Sequence, residues 1–187
     1  LSSMRGVAAS VAGIALSGLL SACGADKPLA TVDQVDLERY SGTWYEIARL
    51  PQWFQRGCYN STATYSLNED GTVRVVNRCQ RDGKEPSVAE GTARVVPGSD
   101  NAKLKVRFDS WISKLLPTIT EGNYWIIALD KNYQTVVIGE PSREYLWILA
   151  RSPELPDDQY QALLQLAESK GFPVNELQRN RDLQPEQ

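Results

Sequence analysis

The side chains with the most reactive chemistry in this chain are its three cysteines, Cys23, Cys58 and Cys79. No histidine is present, so a Ser-His-Asp or Cys-His catalytic centre and a histidine-ligated haem are excluded. Most zinc sites also use histidine, and the chain has no C-x-x-C pair to take its place. We therefore expect neither a metal ion nor a cofactor.

The charge of the chain indicates which partners it does not have. Its 187 residues include 20 basic and 23 acidic side chains, a net charge of −3, and no block is strongly basic. A nucleic acid is therefore not expected as a partner. The length is that of one domain with a sizeable hydrophobic core.

Cys23 ends an N-terminal segment that resembles the signal of bacterial lipoproteins. Arg5 precedes an apolar run over 7–20, which is short for a membrane span, and the run leads into Leu20-Ser21-Ala22-Cys23-Gly24. The resemblance implies cleavage before Cys23 and acylation of that residue. Gly24 stands where the inner-membrane retention signal of this class has aspartate, which implies the outer membrane, at its periplasmic face. An ordinary signal peptide with an unrelated cysteine is the alternative.

The other two cysteines fall in a region that is patterned as short strands separated by turns. Apolar and charged residues alternate over 103–108, which is typical of a strand with one buried face. The predicted strands cover about 43–50, 59–67, 72–80, 87–96, 102–109, 122–130, 134–140 and 145–151. Eight strands joined by hairpins predict an all-β, antiparallel up-and-down barrel that is wide enough for one small ligand, with a Greek-key sandwich as the alternative.

One helix is predicted to follow the strands. Pro156 begins it, two aspartates favour its N-terminus, and Lys170-Gly171 ends it. Its apolar residues recur at helical spacing, so we expect it to pack on the outside of the barrel. The polar residues after Leu177 are expected to be frayed.

Three motifs, in this order, resemble those of the lipocalin family. Gly42-Thr43-Trp44-Tyr45 follows a short helical turn and is similar to the first motif. Leu129-Asp130 and Tyr133 lie where the family has its second motif, and Arg151 lies where it has a basic residue packed over the first-strand tryptophan. Three further stretches are similar to the branch that contains bacterial outer-membrane lipocalins and apolipoprotein D: Ala63-Thr64-Tyr65-Ser66, Gly139-Glu140-Pro141 and Tyr145-Leu146-Trp147-Ile148-Leu149.

The two resemblances together divide the chain into four parts. These are a signal peptide over 1–22, a lipid-anchored tether over 23–34, a lipocalin domain over 35–180 and a polar tail over 181–187. The tether is expected to leave the domain at the closed end of the barrel, where the first strand starts. At about 3.3 Å per extended residue, it would still be long enough to let the barrel turn its mouth to the membrane.

The up-and-down topology of the family assigns residues to the two ends of the barrel. Arg151, after the last strand, should reach Trp44 at the start of the first strand, and a cation–π contact there would close the barrel floor. By alternation along the last strand, Tyr145, Trp147 and Leu149 should line the ligand pocket.

Two loops at the opposite, open end are unusually apolar. An exposed apolar patch usually marks a membrane, partner or ligand site. We expect these side chains to face the membrane, and inward folding to form a lid is the alternative. They are Trp53, Phe54, Trp111, Ile112, Leu115 and Leu116.

Cys58 and Cys79 fall at the open ends of neighbouring strands in this topology. The periplasm permits disulfides, so we expect a bond between them. Two free thiols are the alternative.

The function implied by the resemblance is the binding and transport or storage of lipids in the bacterial outer membrane, in support of membrane maintenance under stress. The expected ligand is a fatty acid or a lysophospholipid, and the expected attachment to the outer membrane is through acylated Cys23. A homodimer is a further candidate interaction, and no enzymatic activity is expected. The alternatives are a lipid-modifying enzyme that uses a barrel thiol and a purely structural lipoprotein.

Overall fold

The computed structural model describes residues 27–109 and 121–183. Cys23 and the predicted signal peptide lie outside the described residues. So do four of the residues predicted for the mouth: Trp111, Ile112, Leu115 and Leu116. Among the helices of the described ranges, none has the length and apolar character needed to cross a bilayer.

Eight antiparallel strands form a closed barrel, as predicted. Each strand pairs with its neighbours in sequence, and β1 pairs with both β2 and β8, which closes the sheet. The strands are β1 (Gly42–Arg49), β2 (Tyr59–Leu67), β3 (Val73–Arg81), β4 (Lys84–Val95), β5 (Lys103–Phe108), β6 (Glu121–Leu129), β7 (Thr135–Gly139) and β8 (Leu146–Ala150). The closed end holds the start of β1, and the mouth holds the β1–β2, β3–β4 and β7–β8 connections together with the end of β5 and the start of β6.

Two α-helices accompany the barrel within 27–109 and 121–183. The short helix α1 (Leu37–Tyr40) lies at the closed end, and the Asp36 carboxylate caps it by accepting hydrogen bonds from the first backbone N–H groups. The longer helix α2 (Asp157–Ser169) packs on the outside of the barrel, as predicted, and buries Tyr160 and Ala167 there.

Two apolar clusters lie on the two faces of the sheet. The inner cluster surrounds Trp44 inside the barrel, and the outer cluster lies between the barrel and α2. β1 contributes to both through the alternation of its side chains, and its pairing with β8 also shifts register between Glu46 and Ala48. A bulge of this kind inserts one residue and reverses the alternation. As a result, Glu46 and Arg49 meet on the same side of the strand although they are three positions apart.

The N-terminal segment over 27–34 differs from the free tether that the sequence predicts. Leu29 is buried in the outer cluster, and the backbone N–H of Val32 donates to the carbonyl of Ile126 at 2.9 Å. The N–H of Ile126 donates to the carbonyl of Ala102, just before β5, but the N–H of Ala102 donates to Ser99 within the β4–β5 turn. The Ile126 carbonyl therefore has no partner in the ladder and accepts from Val32 instead. Apolar side chains and a free carbonyl therefore hold this segment on the barrel wall.

The same segment begins at the mouth rather than at the closed end. The carbonyl of Lys27 accepts a hydrogen bond from Arg143 in the β7–β8 loop at 2.5 Å. The N–H of Val35 donates to the backbone carbonyl of Asp100 at 2.9 Å, in the β4–β5 turn at the closed end. The predicted exit of the tether at the closed end is therefore wrong, because the residues before β1 run back along the barrel to the mouth.

The C-terminal segment is also more ordered than predicted. Gln178–Arg179 form a ninth strand, β9, which pairs with β1 at Ala48 and Arg49. β1 pairs with β2 only over 42–45, so its edge beyond that point is free for another strand. A 3-10 turn over 180–183 follows, and the frayed tail that the sequence predicts is not found in the described part.

The packing of the N-terminal segment predicts a stability effect that a free tether would not show. Leu29→Ala should lower the free energy of unfolding by about 2–3 kcal/mol, because a buried side chain is truncated. Gln34→Ala is the matched control, because Gln34 is exposed in the same segment. It should change the free energy of unfolding little. Urea unfolding followed by circular dichroism measures both, and equal stability of the two variants would contradict the packing.

Candidate functional site

The closed end of the barrel is held by one arginine. The guanidinium of Arg151 lies 3.9 Å from the ring centroid of Trp44, which is fully buried. Its nitrogens also donate to the carbonyls at the end of α1 and the start of β1: Arg39, Tyr40, Ser41 and Thr43. The last carbonyls of a helix have no partner within it, and Arg151 satisfies them together with the indole N–H of Trp44, which donates to the carbonyl of Tyr40 at 2.8 Å.

The glycine before Trp44 is required by this arrangement. Gly42 has a φ of +103°, which is unfavourable for residues with a side chain. A Cβ atom at this position would lie 3.0 Å from Nη1 of Arg151. A glycine is therefore needed two residues before Trp44, because Arg151 approaches the backbone there.

A chain of three tyrosines crosses the lower part of the barrel interior. Tyr124 donates to the hydroxyl of Tyr65 at 2.9 Å, and because its only proton is used, Tyr40 must donate to Tyr124 at 2.6 Å. These residues line a cavity of about 10 Å³, which is room for about one water molecule. The lower interior around them is therefore filled, and a ligand has to occupy the part nearer the mouth.

Burial keeps these tyrosines protonated. Burial is the main reason why the pKa of Tyr65 is raised to about 12, and the Glu46 carboxylate raises it further, against the lowering effect of the hydrogen bond from Tyr124. Burial also raises the pKa values of Tyr40 and Tyr124 well above the ordinary value of tyrosine. The sequence alone does not predict this chain of tyrosines, although Tyr65 and Tyr124 stand at inward positions of predicted strands.

A buried polar network lies nearer the mouth. Arg49 forms an ion pair with Glu46, and both side chains are at least nine-tenths buried. Gln55 reaches in from the β1–β2 loop, where its amide nitrogen donates to Glu46 at 2.9 Å. Its amide oxygen accepts from the indole N–H of Trp147 at 3.0 Å. Charged and amide groups therefore lie directly above the apolar interior, which suits a ligand with one polar end.

The three residues predicted for the pocket lie at successive depths below the mouth. Leu149 is buried in the inner cluster, and Trp147 packs against that cluster from above. Tyr145 stacks on Trp147 with ring centroids 6.2 Å apart, and Phe54 in the β1–β2 loop lies 6.0 Å from Tyr145. An aromatic column thus leads from the rim toward the inner cluster.

Comparison with known proteins decides the family. The family model described as a lipocalin-like domain matches residues 35–182. The chain belongs to the lipocalin family. Lipocalins are in general carriers of small hydrophobic ligands rather than enzymes, and binding of such a ligand is the function that the family supports for this chain.

The relatives of this lipocalin come from several kingdoms. Temperature-induced lipocalin-1 of Arabidopsis thaliana is 39% identical over 153 residues, 81% of each chain. Outer membrane lipoprotein Blc of Escherichia coli K12 is 37% identical over 173 residues, 88% of this chain and 91% of the relative. Apolipoprotein D of Macaca fascicularis is 33% identical over 152 residues, which are 78% of this chain and 76% of the relative. The predicted assignment to the branch of bacterial lipoproteins and apolipoprotein D is thereby confirmed.

The fold of this lipocalin also matches solved structures. Insecticyanin from the tobacco hornworm Manduca sexta superimposes with a TM-score of 0.63 over 81% of this chain and 83% of that chain. The identity is 18%, so the likeness concerns the fold alone.

The predicted disulfide of this lipocalin is confirmed. Cys58 and Cys79 are bonded, with their Cα atoms 5.4 Å apart, and they join the open ends of β2 and β3. The carbonyl of Cys58 also accepts a hydrogen bond from Arg49 at 3.0 Å. A bonded pair offers no thiol, so the alternative of an enzyme that uses one of them is left without its nucleophile. No cluster of three or more possible metal ligands is found in the described ranges.

The β1–β2 loop of this lipocalin divides its side chains between two surroundings. Trp53 is 78% exposed and Phe54 is 43% exposed, and their rings meet edge to face at 5.6 Å. Gln52 is buried, and Gln55 reaches the network of Glu46 and Arg49. The loop therefore covers the mouth with its amide side chains and presents its aromatic ones to the outside.

The buried tyrosines predict a fall in stability at alkaline pH. In the unfolded chain tyrosine ionises with a pKa of about 10, but in the folded chain these hydroxyls stay protonated to higher pH. Above pH 10 the unfolded state therefore releases protons that the folded state retains. The free energy of unfolding should fall as pH rises, by up to about 1.4 kcal/mol per pH unit for each tyrosine.

Urea unfolding between pH 9 and pH 11 measures this fall. Tyr124→Phe removes one of the three ionising groups, so the slope above pH 10 should be smaller in that variant than in the unchanged protein. Equal slopes would show that Tyr124 ionises similarly in the folded and unfolded states.

Proposed function

We propose that this lipocalin binds and carries fatty acids or lysophospholipids in the bacterial outer membrane and so supports membrane maintenance under stress. The observation that carries the proposal is the vertical order of the site: exposed aromatic rings at the rim, a buried ion pair below them, and apolar interior beneath. Such an order matches an amphiphile with one polar end and one acyl chain. Similarity to outer membrane lipoproteins of Escherichia coli and Vibrio cholerae supports the location.

The acyl chain is proposed to lie along the aromatic column and to end at the inner cluster. Trp147 is the residue that both regions share, because it packs on the inner cluster and its N–H reaches Gln55 in the network. A ligand enters when the β1–β2 loop moves aside, since Gln55 occupies the space above Trp147. Each buried methylene contributes about 0.8 kcal/mol, so affinity should increase with chain length.

Displacement of a fluorescent fatty acid from the full chain with Cys23→Ser tests this pocket. Saturated fatty acids should bind roughly tenfold more tightly for each two methylenes added, up to the length of the pocket. Trp147→Glu places a charge beside the proposed acyl path and should weaken binding by at least about tenfold.

Trp125→Glu is the matched control, because Trp125 belongs to the outer cluster and lies beneath the ammonium of Lys103. This variant should bind fatty acids as the unchanged protein does. Equal losses in the two variants, with folding verified by circular dichroism, or affinity that does not depend on chain length, would contradict the proposed pocket.

We further propose that the mouth faces the membrane. Cys23 is four residues before Lys27, and an extended chain covers about 3.3–3.6 Å per residue, so acylated Cys23 would lie within about 14 Å of Lys27. Lys27 is hydrogen-bonded to the β7–β8 loop, at the same end as Trp53 and Phe54. A short anchor at this end draws the mouth to the bilayer, where aromatic side chains favour the interface.

Co-sedimentation with phospholipid vesicles tests the orientation in a form without residues 1–23, which lacks both the apolar signal segment and the acylation site. The unacylated protein should bind vesicles weakly, and Trp53→Ser combined with Phe54→Ser should abolish the binding. Leu67→Ser is the control, because Leu67 is 41% exposed but lies at the closed end.

Loss of binding in both proteins, or in neither, would contradict an orientation with the mouth toward the membrane. A change in oligomeric state with the aromatic pair, at unchanged vesicle binding, would instead assign the pair to a homodimer contact.

A further inference from the structure

A second cavity lies in the barrel wall near the mouth, outside the proposed acyl path. Its volume is about 350 Å³, which is in the range of small-molecule sites. The β1–β2 loop lines one side, and the C-terminal segment lines the other. The lining residues that matter for its chemistry are Arg49, Gln52, Trp53, Arg56 and Gln178.

The cavity arises from the way in which the barrel closes. β1 pairs with β2 only over 42–45, and beyond that point β9 takes the place of β2 along β1. The chain returns from the β1–β2 loop into β2 at Cys58, on the other side of the cavity. The wall at this point is therefore made of side chains and loop backbone rather than of a continuous ladder of hydrogen bonds.

Two polar atoms in this wall have no hydrogen-bond partner among the described residues. They are Nε of Arg49 and Oε1 of Gln52, and both side chains are at least nine-tenths buried. A buried polar atom without a partner costs about 1–3 kcal/mol, so such atoms are rare unless a ligand satisfies them. Here one donor and one acceptor, both unpaired, belong to residues that line the same cavity. Each atom has less than 1 Å² of accessible surface, so a ligand reaches them when the two side chains turn toward the cavity.

The orientation of the Gln52 amide follows from its neighbours. Gln55 must direct its amide nitrogen at the Glu46 carboxylate and its oxygen at the indole N–H of Trp147. Gln52 hydrogen-bonds to that same oxygen of Gln55, so it must donate through its own nitrogen. The Gln52 oxygen is therefore the atom that remains without a donor.

The charge of the cavity favours an anion. Glu46 neutralises Arg49, and the other terminal nitrogen of Arg49 donates to the carbonyls of Gln55 and Cys58. The Arg56 guanidinium makes no hydrogen bond or ion pair with any described residue. Arg56 is exposed and lines the same cavity as Arg49, so its charge is not balanced by a carboxylate of the described residues.

We propose that this cavity binds a phosphate ester with a hydroxyl group beside it. The phosphate oxygens would accept hydrogen bonds from Nε of Arg49 and from Arg56, and the hydroxyl would donate to Oε1 of Gln52. The glycerol phosphate of a lysophospholipid has this chemistry, and so has soluble glycerol 3-phosphate. Binding of a lysophospholipid here rests on the proposed function, because its acyl chain would occupy the barrel. Binding of soluble glycerol 3-phosphate does not rest on it.

Calorimetric titration of the full chain with Cys23→Ser tests the site with three probes. They are glycerol 3-phosphate, a lysophosphatidate with a 14-carbon chain, and the neutral monoacylglycerol with the same chain. Arg56→Gln should weaken lysophosphatidate binding about tenfold, as expected for one charge-assisted hydrogen bond, and leave the monoacylglycerol unaffected. Arg94→Gln, an exposed arginine near the end of β4 that lies at the closed end, is the control and should change neither.

A fourth probe tests the hydroxyl. A 14-carbon alkyl phosphate has no hydroxyl beside the phosphate, so it should bind less tightly than the lysophosphatidate. Gln52→Met removes the acceptor and should abolish that preference, while a preference that persists would overturn the role of Gln52.

The outcomes separate the two sources and the two proposals. If Arg56→Gln weakens glycerol 3-phosphate as well, the site accepts soluble phosphate esters. If it weakens only the lysophosphatidate, the site is one for a lipid headgroup. If Arg56→Gln behaves like Arg94→Gln with every phosphate, the anion site is refuted, even where the monoacylglycerol still binds in the barrel. If no acyl compound binds but glycerol 3-phosphate does, the barrel function fails and the anion site stands.

Discussion

The short pairing between β1 and β2 determines how the open half of the barrel is built. Over 42–45 the two strands form a ladder that closes the barrel at its floor, and beyond Tyr45 they separate. The bulge after Glu46 then turns Arg49 toward the gap instead of away from it. The docking of β9, the burial of the ion pair and the cavity in the wall all follow from this separation, because each fills space that a continuous ladder would have occupied.

The polar groups inside the barrel lose their contact with water, and neighbouring polar groups replace it. The three tyrosines form one hydrogen-bonded chain of neutral groups, which needs no counter-charge. Glu46 and Arg49 are charged, and each is desolvated, so their pairing compensates a penalty rather than adding large stability. Under the proposed function this buried pair would give selectivity, because a purely apolar molecule would have to pass charged groups to enter. An amphiphile can leave its polar end beside them.

The barrel could be predicted from the sequence because its signals are local. Alternation identifies the strands, and the order of the family motifs in an up-and-down barrel places Arg151 within reach of Trp44. The bulge in β1 has no comparable signal, since the same residues would alternate normally in an unbulged strand. The position of Gln55 and the path over 27–34 depend on partners many residues away. These features therefore emerge only when the folded chain brings the distant segments together.

Arginine side chains hold the segments that the sheet does not. Arg151 donates to carbonyls around α1, and Arg143 donates to Lys27, Pro141 and Lys170, which joins the N-terminal segment, the β7–β8 loop and the end of α2. Arg49 donates to the carbonyls of Gln55 and Cys58 and so holds the β1–β2 loop. Carbonyls in loops and at helix ends lack backbone partners, and a planar guanidinium with five donors can reach several of them at once. A lysine could supply the charge but not several N–H donors in one rigid plane. Arginine is therefore the side chain that suits all three positions.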